Sequence, residues 1–237
     1  MTAFADLRDL GYPVVAWSQS RPVGPIEIAV SELRETIGRF SPWASAGILL
    51  ICHSRGGLVA RKYLETPEPR VRLLLTLSSP HHGTRLARWA TYVSPLASFL
   101  DACIERAAKR ETRTALQRIL GFLGSDGLKE LLPGSSFFAG LRDGAQHGTR
   151  YVSLGGTSPD LLRFNGKSLS EVMTRFVPGQ SLPIEVRAGE GDGLVSRASA
   201  VIPFANRHYD FSVNHAAVLF DHEVRRTIIA EVQTLSL

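Results

Sequence analysis

Apolar positions along this chain switch repeatedly between helical spacing and short unbroken runs. Residues 3–10 read as a helix and residues 13–17 as a short apolar strand. Pro25 opens a second helix running to about Phe40, with Ile26, Val30, Leu33 and Ile37 on one face. Residues 47–52 form an apolar run of strand length. Residues 57–64 form a helix that stops before Pro67, and residues 71–78 another strand. From Leu86 to about Gly144 there is no strand pattern, and Leu116, Ile119, Leu120 and Leu123 share a helical face instead. Strand character returns at residues 151–154, before Gly155 and Gly156. Shorter candidates lie at 184–187 and 200–203, and a further one at 209–213. Residues 216–235 close the chain as a helix. Alternation of this kind predicts an α/β fold, a mostly parallel sheet with helices on both faces, built as one domain over residues 1–237.

Composition narrows the function classes. The 237 residues suit a single core, and a charged fraction of 21% with 44% hydrophobic residues is that of an ordinary globular chain. The net charge of +5 comes mostly from arginines scattered from Arg8 to Arg226, with no stripe or module of a nucleic-acid binder. Two cysteines, Cys52 and Cys103, make no disulfide framework and read as free thiols. No apolar stretch is long enough to span a bilayer, and the first eleven residues, with Asp6, Arg8 and Asp9, do not form a signal peptide. As it stands the chain reads as soluble and cytoplasmic.

The chemistry concentrates at His53-Ser54-Arg55-Gly56-Gly57, where a strand gives way through a sharp turn to a helix. A serine on such a turn has strained backbone angles and a hydroxyl lifted above the sheet, and its neighbours two positions away must be small. Gly56 meets that need on one side and Cys52 stands on the other, with His53 and Gly57 completing the support of the elbow. The helix N-terminus faces developing negative charge, so the Arg55 backbone N–H is a candidate oxyanion donor. An ordinary strand–helix turn with a serine and two glycines is the plainer reading of the same five residues.

A serine nucleophile needs a base and an acid, in the chain order serine, acid, histidine for this kind of sheet. Asp192, in Gly189-Glu190-Gly191-Asp192-Gly193, and His215, after Asn214, both fall where strands should end on the Ser54 edge. Each has a plainer alternative: a turn aspartate for Asp192, with Glu190 as a second candidate acid, and a helix-start residue capped by Asn214 for His215. His208 and His222 are rival bases. The adjacent pair His81 and His82 lacks the ligand spacing of a metal site and reads as support for the neighbouring loop.

Taken together, Cys52-His53-Ser54-Arg55-Gly56-Gly57-Leu58, Ser78-Ser79-Pro80-His81-His82-Gly83-Thr84, Gly191-Asp192-Gly193-Leu194-Val195 and Asn214-His215 resemble bacterial triacylglycerol lipases and related esterases of the α/β-hydrolase superfamily. The resemblance implies Ser54 as nucleophile, Asp192 as acid and His215 as base, acting on carboxylic esters without a cofactor or metal. It also implies that residues 86–144 are a helical cap over the acyl site. The expected partner is a small-molecule or lipid ester, met at most by transient contact with a lipid surface. Acyl chain length, ester against thioester or amide, and oligomeric state stay open.

The chain departs from these relatives at its start. They begin with a central strand ending in His-Gly, which supplies the other oxyanion donor, whereas this sequence opens at what resembles the following helix. A gap beside the nucleophile strand and an incomplete oxyanion hole are therefore expected. A start upstream of Met1, a fragment, and a degenerate relative acting as a binding module are the competing accounts. The first would also leave secretion open.

Overall fold

Among the described residues, four parallel strands form the main sheet, and both of its faces are covered. The computed structural model describes residues 2–21, 24–86, 127–161, 163–164, 167–168 and 182–235. In chain order the main elements are α1 (Ala3–Asp9), α2 (Ile26–Phe40), β1 (Ile48–His53), α3 (Arg55–Tyr63) and β2 (Val71–Leu77). The short helices α4 (Gly127–Glu130) and α5 (Ser136–Gly140) follow, then β3 (Arg150–Gly156). After the two-residue antiparallel strands β4 (Arg163–Phe164) and β5 (Lys167–Ser168) come β6 (Arg207–Phe211) and α6 (His222–Gln233). The main sheet runs β1-β2-β3-β6, parallel throughout.

The two layers follow from the strand alternation. Ile48, Leu50 and Cys52 pack with α2 and α3, through Ile26, Val30, Leu33, Ile37, Leu58 and Val59. Leu49 and Ile51 face the other way, toward Leu7 of α1 and Val224, Ile228 and Val232 of α6. Because both faces are covered, β2 is apolar on nearly every position, and Leu73, Leu74 and Leu75 are fully buried. Each such leucine contributes about 1.5–3 kcal/mol relative to an exposed one. Among the described residues, no helix is long and apolar enough to cross a membrane.

Three expected strands do not form. Residues 13–17 join no ladder, and among the described residues β1 is paired only with β2, so this run finds no strand to bond. Its apolar side chains are used nonetheless: Val14 packs in the α1–α6 layer and Trp17 in the α2–α3 layer. Residues 184–187 curl into a 3₁₀ turn after Pro183, whose carbonyl accepts from the Val186 N–H. Residues 200–203 are a run of turns, with Ala200 and Ile202 buried without a ladder. The closing helix is also shorter than expected. Asn214 caps a 3₁₀ turn (Ala217–Leu219), and Asp221 starts α6 afresh by accepting from the N–H groups of Glu223 and Val224. Of residues 86–144, Leu86 and 127–144 are described; the Leu116 to Leu123 face and Cys103 lie outside the described residues.

Candidate active site

The site forms where β1, β3 and β6 end on one edge of the sheet. At the end of β1, Ser54 adopts φ 53 and ψ −129, and α3 starts at the next residue. A serine in the left-handed region is strained, and such strain concentrates at functional sites. The turn is pinned by the Ser54 N–H donating to Leu77 O (2.8 Å) and the Gly57 N–H donating to Ser54 O (3.0 Å). Ser78, at φ 49, is the other non-glycine residue with positive φ among the described residues, and it lies at the matching end of β2.

Arg55 occupies the first position of α3, where a helix leaves its N–H groups without intrahelical acceptors. Its side chain is buried, bonding the Gln19 side chain and the Gly24 carbonyl, and it lies 3.7 Å from Glu130. Gln19, Gly24 and the end of α4 are thereby tied to the elbow. Nothing in the local sequence pattern announces this.

His215, four residues beyond Phe211 at the end of β6, brings its ring to both partners. Its Nε2 lies 2.9 Å from Ser54 Oγ, and its Nδ1 lies 2.9 Å from Asp192 Oδ2. Asp192 and His215 are both almost completely buried, at 1% and 2% exposure. The other Asp192 oxygen, Oδ1, accepts from the N–H groups of Leu194 (3.0 Å) and Val195 (2.8 Å). That tight return needs Gly193, whose φ of 98 leaves no place for an ordinary side chain. Burial pushes the Asp192 carboxyl up, but His215 beside it and the donated hydrogen bonds outweigh that and hold its pKa below the ordinary value. An ionised Asp192 fixes a hydrogen on His215 Nδ1 and leaves Nε2 as the acceptor of the Ser54 hydroxyl.

The rival residues lie elsewhere. Glu190 is exposed. His208 is bonded to Ser153 Oγ (2.8 Å) and Asp210 (3.0 Å), and His222 is on the surface beside Glu223. His81 and His82 diverge. His81 is buried against Thr76 Oγ1 (2.9 Å), with its carbonyl held by Arg61 (2.9 Å), whereas the His82 N–H donates to Ser199 Oγ (3.1 Å). Arg61 is itself paired with Asp143 at 2.5 Å, a brace under the loop after β2. Cys52 packs beneath the elbow, and burial pushes its thiol up to about 12, so it is held as the neutral thiol. His53 Nε2 lies 2.9 Å from the His215 carbonyl oxygen, a contact the sequence pattern does not announce.

Residues 30–157 match the family model described as "Domain of unknown function (DUF7379)". The chain belongs to the DUF7379 family. That family segment carries Ser54 but ends before Asp192 and His215. Among individual proteins, 74 residues are 39% identical to the lysosomal thioesterase PPT2-B of Xenopus laevis, covering 30% of this chain and 26% of that protein. Two solved structures share the fold. A metagenomic carboxyl esterase, MGS0156, superposes with a TM-score of 0.58 at 17% identity, covering 91% of this DUF7379 chain and 58% of its own. The Bacillus licheniformis lipase BlEst2 in its propeptide form gives 0.53 at 21% identity, covering 89% and 40%. The chain thus spans less than two thirds of each of these three proteins. With the parallel sheet and its two helix layers, these likenesses establish an α/β-hydrolase fold.

Proposed function

We propose that this protein is a serine hydrolase that cleaves carboxylic esters of the lipase and esterase type through an acyl-enzyme on Ser54. The observation that carries the reading is the continuous chain from Ser54 Oγ to His215 Nε2 and from His215 Nδ1 to Asp192, with both contacts at 2.9 Å. His215 takes the proton as Ser54 Oγ attacks the acyl carbon, and returns it to the leaving alcohol as the tetrahedral intermediate collapses. Water then repeats the sequence on the acyl-enzyme. Asp192 stays ionised and steadies the imidazolium that forms between the two transfers. The Arg55 N–H donates to the oxyanion.

A thioester is the second reading, supported by the 74-residue likeness to a thioesterase. The same three residues serve it, with a thiolate as leaving group. The test is a series of p-nitrophenyl esters, short to long, and the matching acyl thioesters with a thiol-trapping dye, each with wild type and Ser54→Ala. Hydrolysis lost in the variant supports the proposal, and its preferred series names the substrate class. Equal rates in both proteins contradict it and favour a binding module on the same fold.

A further inference from the structure

His215 stands on an irregular segment, and such segments are more mobile than the elements they join. Its backbone, however, is held from both sides. The His215 N–H donates to Asp192 O at 3.0 Å, and its carbonyl meets His53 Nε2 at 2.9 Å. A carbonyl oxygen can only accept, so Nε2 of His53 carries the hydrogen and Nδ1 does not. The two rings are tilted against each other, with centroids 4.8 Å apart and planes at 51°.

His53 is the last residue of β1 and immediately precedes Ser54. Its bond therefore runs from the strand that carries the nucleophile to the loop that carries the base. Asp192 fixes the ring of His215 from one side, and His53 fixes the backbone from the other. We propose that His53 is a positioning residue whose Nε2–H holds the His215 carbonyl and so keeps His215 Nε2 on Ser54 Oγ through both halves of the reaction. This rests on the reading of Ser54, His215 and Asp192 given above.

The chemistry suits the task. Protein packed around the ring, and after it the neighbouring His215, push the His53 pKa down to about 3. The residue therefore stays neutral over the working range and adds no positive charge beside the base. Because the bond acts through His215 and touches no substrate, its loss should appear in kcat and leave KM alone. Displacement of a reacting group by about 1 Å can cost roughly a hundredfold.

Three variants separate the bond from the volume of the ring. His53→Gln places an amide N–H near the position of Nε2. His53→Phe fills the ring space without a donor, and His53→Met is a second donor-free variant that tolerates irregular space. Each is assayed with p-nitrophenyl butyrate beside wild type and Ser54→Ala, and its melting temperature is recorded. The proposal expects kcat to fall about tenfold to a hundredfold in the Phe and Met variants, with KM within about twofold and most of kcat kept by Gln. It is overturned if folded Phe and Met variants keep wild-type kcat, if Gln falls as far as Phe, or if KM carries the change. Failure of both donor-free variants to fold also overturns it, because the bond would then serve the fold. Wild type without Ser54-dependent hydrolysis overturns this proposal together with its parent, whereas a wild type that is active with unaffected variants overturns this one alone.

Discussion

His215 is bound to Asp192 twice, through ring Nδ1 to Oδ2 at 2.9 Å and through its backbone N–H to the Asp192 carbonyl at 3.0 Å. Asp192 therefore sets both the tautomer of His215 and the path of its loop. In Asp192→Asn the amide oxygen can still accept from Leu194 and Val195, so the loop keeps its turn. The amide nitrogen then faces Nδ1, which favours the tautomer with the hydrogen on Nε2, where it cannot accept from Ser54. A fall in kcat of about 10⁴, with a melting temperature near wild type, is the expected outcome. Steady-state kinetics on a p-nitrophenyl ester and a thermal melt check it.

Gly57 and Gly56 should respond differently to a methyl group. A Cβ on Gly57 would stand 2.3 Å from Ser79 Oγ, 2.7 Å from Ser79 Cβ and 3.0 Å from Thr76 Cγ2, all in the buried packing of α3 on β2. A Cβ on Gly56 meets only Cys52 Cβ, at 3.8 Å, an ordinary contact. Gly57→Ala should cost about 1–3 kcal/mol of stability and tilt the elbow, lowering activity. Gly56→Ala should be close to neutral in stability. Denaturant titration of the two variants side by side distinguishes them.

The pH dependence of stability carries a signature of His53. In the unfolded chain its imidazole takes a proton below about 6.5. In the folded protein it does so only near 3, because burial disfavours the charged form. Between these values the unfolded state binds the extra proton, so His53 makes stability fall as pH falls, with no effect above about 6.5. In His53→Gln the slope of unfolding free energy against pH in that window should shrink by up to one proton. Urea titrations at several pH values from 6.5 downward measure it.

Glu68 adds a second acid-side contribution. Arg70 beside it, with the Tyr63 hydroxyl, holds its carboxyl down to about 2 against the opposing effect of burial. A lowered carboxyl pKa contributes stability above the ordinary carboxylate range, and that contribution is lost as pH falls toward 2. Glu68→Gln should therefore flatten the stability profile below about pH 4.5, leaving the part of the His53 window above that value unchanged. The same titrations, extended to lower pH, test this.

What could be read from the sequence follows the range of the interactions. The elbow is local: strand, turn and helix lie within residues 48–63, and the turn admits few residue types, so Ser54 is legible from its neighbours. The glycine loop, the Asn-His pair and the chain order make Asp192 and His215 candidates, but only the family resemblance lifts them above a turn aspartate and a helix-start histidine. Residues 13–17 mislead because an apolar run signals burial and carries no information about a partner strand. The runs at 184–187 and 200–203 mislead for the same reason, since Val186 and Ile202 are buried without joining a ladder. The bond from His53 to His215 joins residues 162 positions apart, and the hold of Gln19, Gly24 and Glu130 on Arg55 leaves no periodic mark.

The central claim is that Ser54 is a nucleophile activated by His215. The most direct measurement is treatment of the folded protein with a fluorophosphonate, followed by peptide mass spectrometry to locate the adduct. The account predicts one phosphonyl group on Ser54, formed in the wild type and suppressed at least a hundredfold in His215→Ala. An adduct at another residue, or equal labelling of Ser54 in His215→Ala, would contradict it.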